Sequence, residues 1–308
     1  MPTSISVIVP VYNDPDGVAL TIESLCRQRY SAASYEILVV DNGSTDQTLT
    51  VIDRYRDAYP DLVVPLSERT IQSSYAARNV GIRHANGSVL VFLDADMTVP
   101  PTYLDDVASA LSEGTNYLGC ELTVYYPAGR DTYVAQYNKV MMGDNERNIR
   151  EFGFVPTSSL SVCRAVMDEV QGFDDRLISS GDVLFGRQAA KAGHEPEYVP
   201  SITAYHPART SLRSKLERDV RIGRGLAQRS YYHPDEFSTR PFYALSEYLP
   251  PRPNRVKRRL KPAAERAAVD LTLDAWFIFY FLYYLQIVAR VTAKRSEEVR
   301  IRLFADRE

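Results

Sequence analysis

Residues 88–98, SVLVFLDADMT, constrain this chain more than any other stretch. The unbroken apolar run over 89–93 has the length and β-branched content of a strand buried on both faces of a parallel sheet. It empties into two carboxylates, Asp94 and Asp96, one residue apart. In an open α/β sheet, ligands bind in the crevice outside the carboxyl ends of the strands. Two carboxylates there, with no basic residue beside them in sequence, repel each other unless they share a cation. A divalent metal carrying phosphate oxygens meets that need. The same residues also fit a plain turn or helix cap ahead of Pro100 and Pro101, so the surrounding chain has to decide.

What precedes is a series of β–α units. Residues 4–11 read as a first strand, closed by Pro10 and a turn over 13–17, and a helix follows over 18–29 with apolar Leu20, Ile22 and Leu25 among Glu and Arg. Residues 35–40 form a second buried strand, delivered into the polar turn 41–46, where Ser44 or Thr45 begins a helix over 47–59. A short strand at 62–66 and a helix at 74–84, stopped near Asn86-Gly87, complete the pattern. Such alternation with short connections predicts an α/β fold with a mostly parallel central sheet, residues 1–98 forming its nucleotide-binding half.

Residues 99–210 are expected to form the second half of the same domain. They carry a helix over 105–113, a strand over 117–125 near the sheet's edge or reversal, and a helical segment over 131–150. An extended stretch over 154–163 follows, then a helix from about Ala165. Gly181-Asp182 heads a helix over 183–192, and a last strand runs over 198–206, with Pro200 marking an edge.

After Pro207 the character changes. A basic helix is expected over 212–231 and a Pro-rich loop over 232–254, then a positive patch of Arg252, Arg255, Lys257, Arg258, Arg259 and Lys261. Residues 271–291 are strongly aromatic, and over 275–289 only Gln286 is fully polar. That apolar core is about 22 Å of helix, short of the roughly 30 Å of a bilayer's hydrocarbon. Residues 252–293 therefore predict a helical extension, 211–308, that lies on or shallowly in a membrane surface with its basic patch toward anionic lipid. A spanning helix, or burial within the protein or a homodimer interface, are the alternatives; Asp274, Gln286 and Arg290 do not share one clean face.

A net charge of −3 argues against nucleic acid as a partner. The cysteines Cys26, Cys120 and Cys163 are widely spaced and form neither a zinc pattern nor a disulfide framework, as in a reducing compartment. The opening MPTSISVIVP has no basic region or long apolar core, so no signal peptide is expected and the location expected is cytoplasmic.

Four segments carry a specific resemblance: VIVPVYND (7–14), YEILVVDNGSTDQT (35–48), AARNVGIRHANGSVLVFLDADM (76–97) and GFDDRLISSGDVLFGRQAAKAGH (172–194). In that order and spacing the chain resembles a family 2 glycosyltransferase of the GT-A nucleotide-sugar-binding fold. The resemblance covers residues 4 to about 206. It implies that Pro10, Val11 and Tyr12 line the nucleotide base, that Asp41 accepts a hydrogen bond from its ring, and that Arg78 approaches base and phosphates. Asp94 and Asp96 match the family's DxD motif, with Asp96 chiefly on Mn²⁺ or Mg²⁺, Asp94 on the donor's ribose or sugar in support of the metal, and His206 a third ligand or phosphate contact. The family usually carries Glu-Asp at the head of the late helix; here the pair is Gly181-Asp182. Asp182 keeps the register of the usual catalytic base, while the missing acid bears on how the acceptor is held. Helix-terminal position lowers its pKa and burial raises it. Residues 156–159 match an acceptor-side strand, and Arg221 and Arg224 share a helix face.

The expected activity is inverting transfer of a sugar from a UDP- or GDP-sugar to a hydroxyl of a lipid-linked or membrane-delivered glycan acceptor. The alternative is a soluble transferase acting on a small polar or protein acceptor, with the aromatic helix as a dimer interface.

Overall fold

A computed structural model describes residues 3–142, 144–237 and 245–304. The central part of the predicted Pro-rich loop, 238–244, lies outside the described residues. In chain order the elements are β1 (Ile5–Val11), α1 (Pro15–Cys26), β2 (Tyr35–Asp41), α2 (Thr48–Ala58), β3 (Val63–Ser67), α3 (Ser74–His84), β4 (Val89–Phe92) and α4 (Tyr103–Ser112). There follow β5 (Tyr117–Tyr125), α5 (Tyr133–Met141), α6 (Asn145–Phe152), β6 (Leu160–Cys163), α7 (Arg164–Val170), α8 (Gly181–Lys191) and β7 (Glu197–Pro207). The last three are α9 (Leu212–Tyr232), α10 (Pro253–Arg266) and α11 (Leu273–Phe304).

The described residues form a seven-stranded sheet of order β3-β2-β1-β4-β6-β5-β7. Its first half is parallel, with Ile5 opposite both Tyr35 and Val89, and β6 runs antiparallel to both β4 and β5. Every residue of β1 and β4 is buried, which is why these strands read as continuous apolar runs. The order reverses at β1, since β2 and β3 lie on one side and β4 on the other. Val11 faces Asp41 and Ile8 faces Phe92, so the turns after all three strands open at that switch point.

Local signals set the helix starts. Asp14 caps α1 by accepting the Gly17 N–H at 3.0 Å, with Pro15 as first residue, so the helix begins three residues earlier than the apolar pattern indicates. Ser73 caps α3 through the Tyr75 N–H. The single helical segment expected over 131–150 is instead two helices, α5 and α6. β5 lies near the sheet's edge and in its antiparallel half, as expected, between β6 and the edge strand β7.

The chain divides into two compact units. The first takes the chain to Thr123 with Asn145–Arg176 and Gly181–His206; the second holds Val124–Asp144, Leu177–Ser180 and everything from Pro207 onward. In the second unit α9 and α11 pack closely, and Gly223 is what permits it. A Cβ there would stand 2.8 Å from the Ala293 Cβ and collide with the Arg290 carbonyl. Val256, Leu260 and Ala264 of α10 join Tyr137, Val140, Phe279 and Leu282 in one apolar cluster, leaving the six basic residues of 252–261 exposed.

The helix α11 is longer than its apolar stretch. It has 32 residues, about 48 Å, and runs on through its charged end. Those charges are paired inside the unit: Arg290 with Asp219 at 2.8 Å, Arg295 with Glu247 at 2.5 Å, and Glu297 with Gln228 at 2.9 Å.

The candidate active site

The site forms in the first unit, where the turns after β1, β2 and β4 meet α3, the head of α8 and the end of β7. The loop after β4 is braced from α1: Thr21 donates to the Met97 carbonyl at 2.6 Å and Gln28 to that of Pro100 at 2.9 Å. An antiparallel bridge then joins Thr98 to Tyr205, with hydrogen bonds of 3.0 and 2.8 Å. Because of that bridge His206, more than a hundred residues later, faces Asp96, Nε2 lying 3.6 Å from Oδ1.

Asp94 is held differently. Arg78, on α3, donates to its Oδ1 at 2.6 Å; the arginine side chain is 4% exposed and the carboxylate 39%. Asp94 therefore does have a cation beside it, supplied by tertiary structure rather than by a sequence neighbour. Arg78 also lies over the Tyr75 ring, 5.6 Å from its centre, and its Nε is buried without a hydrogen-bond partner.

Asp41 sits at the end of β2 and accepts from the Gly43 and Ser44 N–H groups at 3.2 Å. It thus makes the Asx-turn itself, and Asp46 makes a second one by accepting the Thr48 N–H at 2.9 Å; α2 starts at Thr48 with Gln47 as N-cap, not at Ser44 or Thr45. A carboxylate has about four lone-pair sites, so Asp41 keeps capacity for another donor. Pro10 and Val11 are buried within β1 and offer a ligand backbone only, whereas Tyr12 is 50% exposed.

Asp182 occupies the first turn of α8. Its Oδ1 accepts the Val183 N–H at 2.9 Å and faces the Tyr75 hydroxyl at 3.5 Å. Burial raises its pKa, against the opposing pull of the Val183 N–H, Arg78 and Tyr75. Helix position and burial oppose each other here, and burial prevails.

Two residues escaped sequence reasoning. Tyr75, 5% exposed, touches both Arg78 and Asp182; its spacing of three from Arg78 on one helix was the available signal. Asp14 is pushed up by burial and then by Asp96, Asp16 and Asp46, marking a concentration of negative charge around Asp96. The acceptor-side residues 156–159 form a short 3₁₀ turn rather than a strand. There the Ser159 hydroxyl accepts from Asn145 at 2.8 Å, and Thr157 is buried. Arg221 and Arg224 lie exposed on α9, in the second unit.

Among the described residues no group of three or more His, Cys, Asp and Glu side chains is poised around one point. Asp96 and His206 do stand together, in an environment with an excess of carboxylates. A carboxylate suits Mg²⁺ or Mn²⁺ and a neutral imidazole is a common metal ligand, and an ion such as Mg²⁺ commonly completes its shell with substrate phosphates and water. The residues fit a metal shared with a phosphate-bearing ligand.

Comparison with known proteins now decides the family. The model of Glycosyl transferase family 2 matches residues 6–170, just over half of the chain. This chain belongs to glycosyl transferase family 2. The glycosyltransferase AglE of Haloferax volcanii is 32% identical over 282 residues, 88% of this chain and 91% of the relative. A pre-mycofactocin glycosyltransferase of Mycobacterium tuberculosis is 27% identical over 75% of this chain but only 48% of its own length. The mannosyltransferase PcManGT of Pyrobaculum calidifontis, solved with GDP-Man and Mn²⁺, superposes with a TM-score of 0.64 at 19% identity, covering 100% of this chain and 89% of that one. Residues 1–349 of Staphylococcus aureus TarS with UDP-GlcNAc give 0.55 at 20% identity, over 97% of this chain and 92% of that one. The fold is GT-A and the protein is a glycosyltransferase.

Proposed function

We propose that this glycosyltransferase is a metal-dependent, inverting enzyme. It moves a sugar from a UDP- or GDP-sugar to a hydroxyl on a lipid-linked or membrane-delivered acceptor. The observation that carries the reading is the arrangement around α3, where Arg78 holds Asp94 at 2.6 Å on one side and lies over the tyrosine that meets Asp182 on the other. Donor-side and base-side carboxylates are thereby fixed to one helix.

In the functional division of the chain, residues 1–98 read the nucleotide, 99–210 hold the acceptor and supply the base, and 211–308 form the helical extension. Tyr12, the backbone of Pro10 and Val11, and Asp41 hold the base; Arg78 and Asp94 orient the ribose and diphosphate. Asp96 and His206, with support from Asp94, are the residues that would hold Mn²⁺ or Mg²⁺. When bound, such an ion supplies counter-charge to the departing nucleoside diphosphate. Asp182 accepts the proton of the acceptor hydroxyl as that oxygen attacks the anomeric carbon from the face opposite the leaving group, which inverts the configuration. The solved relatives carry GDP-Man with Mn²⁺ and UDP-GlcNAc, which supports a diphosphate donor.

The membrane part of the reading rests on the second unit. Leu273, Phe277 and Phe281, four residues apart on α11, are 74, 63 and 58% exposed, and the exposed face of α10 is strongly basic. Apolar side chains beside cationic ones fit an anionic lipid surface. The location proposed is accordingly the cytoplasmic face of a membrane. The same stripe would serve a homodimer in the alternative reading, where the acceptor is soluble.

The test is a thermal-shift panel of UDP-, GDP- and TDP-sugars with Mn²⁺ and then with EDTA, followed by donor hydrolysis. One nucleotide class is expected to raise the melting temperature with Mn²⁺, and EDTA is expected to abolish the shift, as is Asp96→Ala. A shift indifferent to EDTA would remove the metal from the reading.

A further inference from the structure

Gly181 has a neighbour that determines what can stand at the head of α8. A Cβ built on it would lie 2.7, 2.8 and 2.9 Å from Cζ, Cε2 and Cε1 of Tyr75, inside any tolerable contact. Its backbone has no left-handed torsion that would demand glycine. The ring, not the backbone, is what requires the absent side chain.

That ring is fixed from both sides. Phe173 packs against it at 5.5 Å, tilted 36°, and the Arg78 guanidinium lies 5.6 Å from its centre. So held, its hydroxyl lies between two atoms of one residue: 3.5 Å from Asp182 Oδ1, to which it donates, and 3.4 Å from the Asp182 N–H, from which it accepts. Burial drives the phenol's own pKa far up, so it remains a neutral donor throughout the working range.

We propose that Tyr75 positions Asp182: its ring takes the volume beside Gly181, and its hydroxyl fixes the carboxylate and backbone N–H of Asp182 for proton transfer. The inference rests on the reading of Asp182 as the base. Tyr75 touches no reacting atom in this scheme and acts only through Asp182. The long distances are those of a site without ligands, where catalytic hydrogen bonds commonly tighten on binding.

The groups that face Asp182 are Tyr75 and Arg78 from α3, the Val183 N–H of its own helix, and Tyr117 from β5. Hydrogen bonding from Tyr75 favours the ionised carboxylate, so its loss raises the pH needed to ionise Asp182. The rate of a base-dependent reaction then falls on the acid side and recovers as pH rises.

The experiment is the pH profile of UDP-glucose and GDP-mannose hydrolysis with Mn²⁺, for the whole chain and three variants. Tyr75→Phe keeps the ring and is expected to move the acid limb upward by about half to one pH unit, a roughly three- to tenfold loss below it. The high-pH rate and melting temperature should be nearly unchanged. Gly181→Ala keeps the phenol but forces the ring aside; alanine is the better helix former, yet the same displacement of the acid limb is expected. Asp182→Asn separates the two levels of the argument. If it turns over donor as fast as the unaltered protein, the base assignment falls and this inference with it. If it is inactive while Tyr75→Phe retains the original acid limb, the positioning role alone is overturned.

Discussion

Arg78 shows why single residues in this site resist reading from sequence. On a helix in isolation an arginine is an ordinary solvated side chain, and only the family resemblance of the segment that opens with AARNVG sets this one apart. The parallel sheet brings it to Asp94, sixteen positions on, and the buried guanidinium then holds a carboxylate and an aromatic ring together. Lysine is no substitute in such a place. It lacks the planar fork that can donate to Asp94 while lying over the Tyr75 ring. Arg78→Lys is expected to lose about 1–3 kcal/mol of stability and to weaken nucleotide binding about tenfold or more. Chemical denaturation and calorimetric titration of UDP and GDP with Mn²⁺ measure both. Unaltered nucleotide affinity would place Arg78 outside the donor site. The carboxylates were legible because paired acids after a buried strand have few structural uses. Their partners were less so: Arg78 and His206 stood out only through the family resemblance and Tyr75 only through its spacing from Arg78, because the contacts with Asp94, Asp96 and Asp182 join residues far apart in the chain.

The strands and helices of the first unit follow closely from local rules. Apolar runs gave β1, β2 and β4, and the polar turns after them gave the crevice. The misreadings have local physical causes. Asp14 and Pro15 cap α1 earlier than its apolar residues indicate, and the break between α5 and α6 falls in the run Met142-Gly143-Asp144-Asn145, where a glycine stop followed by helix-starting Asp and Asn outweighs the apolar periodicity. The charged end of α11 looked like the end of an apolar helix because its ion partners lie on α9 and at Glu247, far off in sequence. Gly223 tests whether that helix is a packed element or a loose appendage. A branched side chain there would run into the Arg290 backbone and Ala293, and helix backbones cannot yield locally as a flexible side chain can. Gly223→Val is therefore expected to destabilise the protein by about 1–3 kcal/mol or more, seen as a lower urea midpoint. A midpoint equal to that of the unaltered chain would mean that α9 and α11 do not pack this way in solution.

At the scale of the whole molecule, the open matter is how a long apolar helix can belong to a protein with a packed catalytic sheet. Over Leu273–Leu303 the helix has the length and hydropathy of a membrane span, with only 22% of its most apolar window buried. Length alone does not favour that use. Its second half carries Arg290, Arg295, Glu297 and Arg300, all engaged in ion pairs or hydrogen bonds inside the second unit. Drawing that half into hydrocarbon would break these contacts and bury charge at a cost of about 2.5–3.5 kcal/mol for each arginine near the centre. The first half is different: it buries Phe279 and Leu282 but leaves Leu273, Phe277 and Phe281 outward. On the membrane reading proposed above, a helix of this kind would lie along the lipid surface rather than across it. The combined change of Leu273, Phe277 and Phe281 to Ser is expected to abolish flotation with vesicles containing anionic phospholipid. It should leave the melting temperature and nucleotide binding intact, because none of the three side chains belongs to the core. The unaltered protein's flotation should weaken as salt rises, since screening removes the share contributed by the basic face of α10. Persistence of the triple variant on vesicles, after alkaline carbonate as well as at high salt, would point to insertion. Loss of a dimer in sedimentation with no vesicle binding by either form would give the stripe to self-association instead.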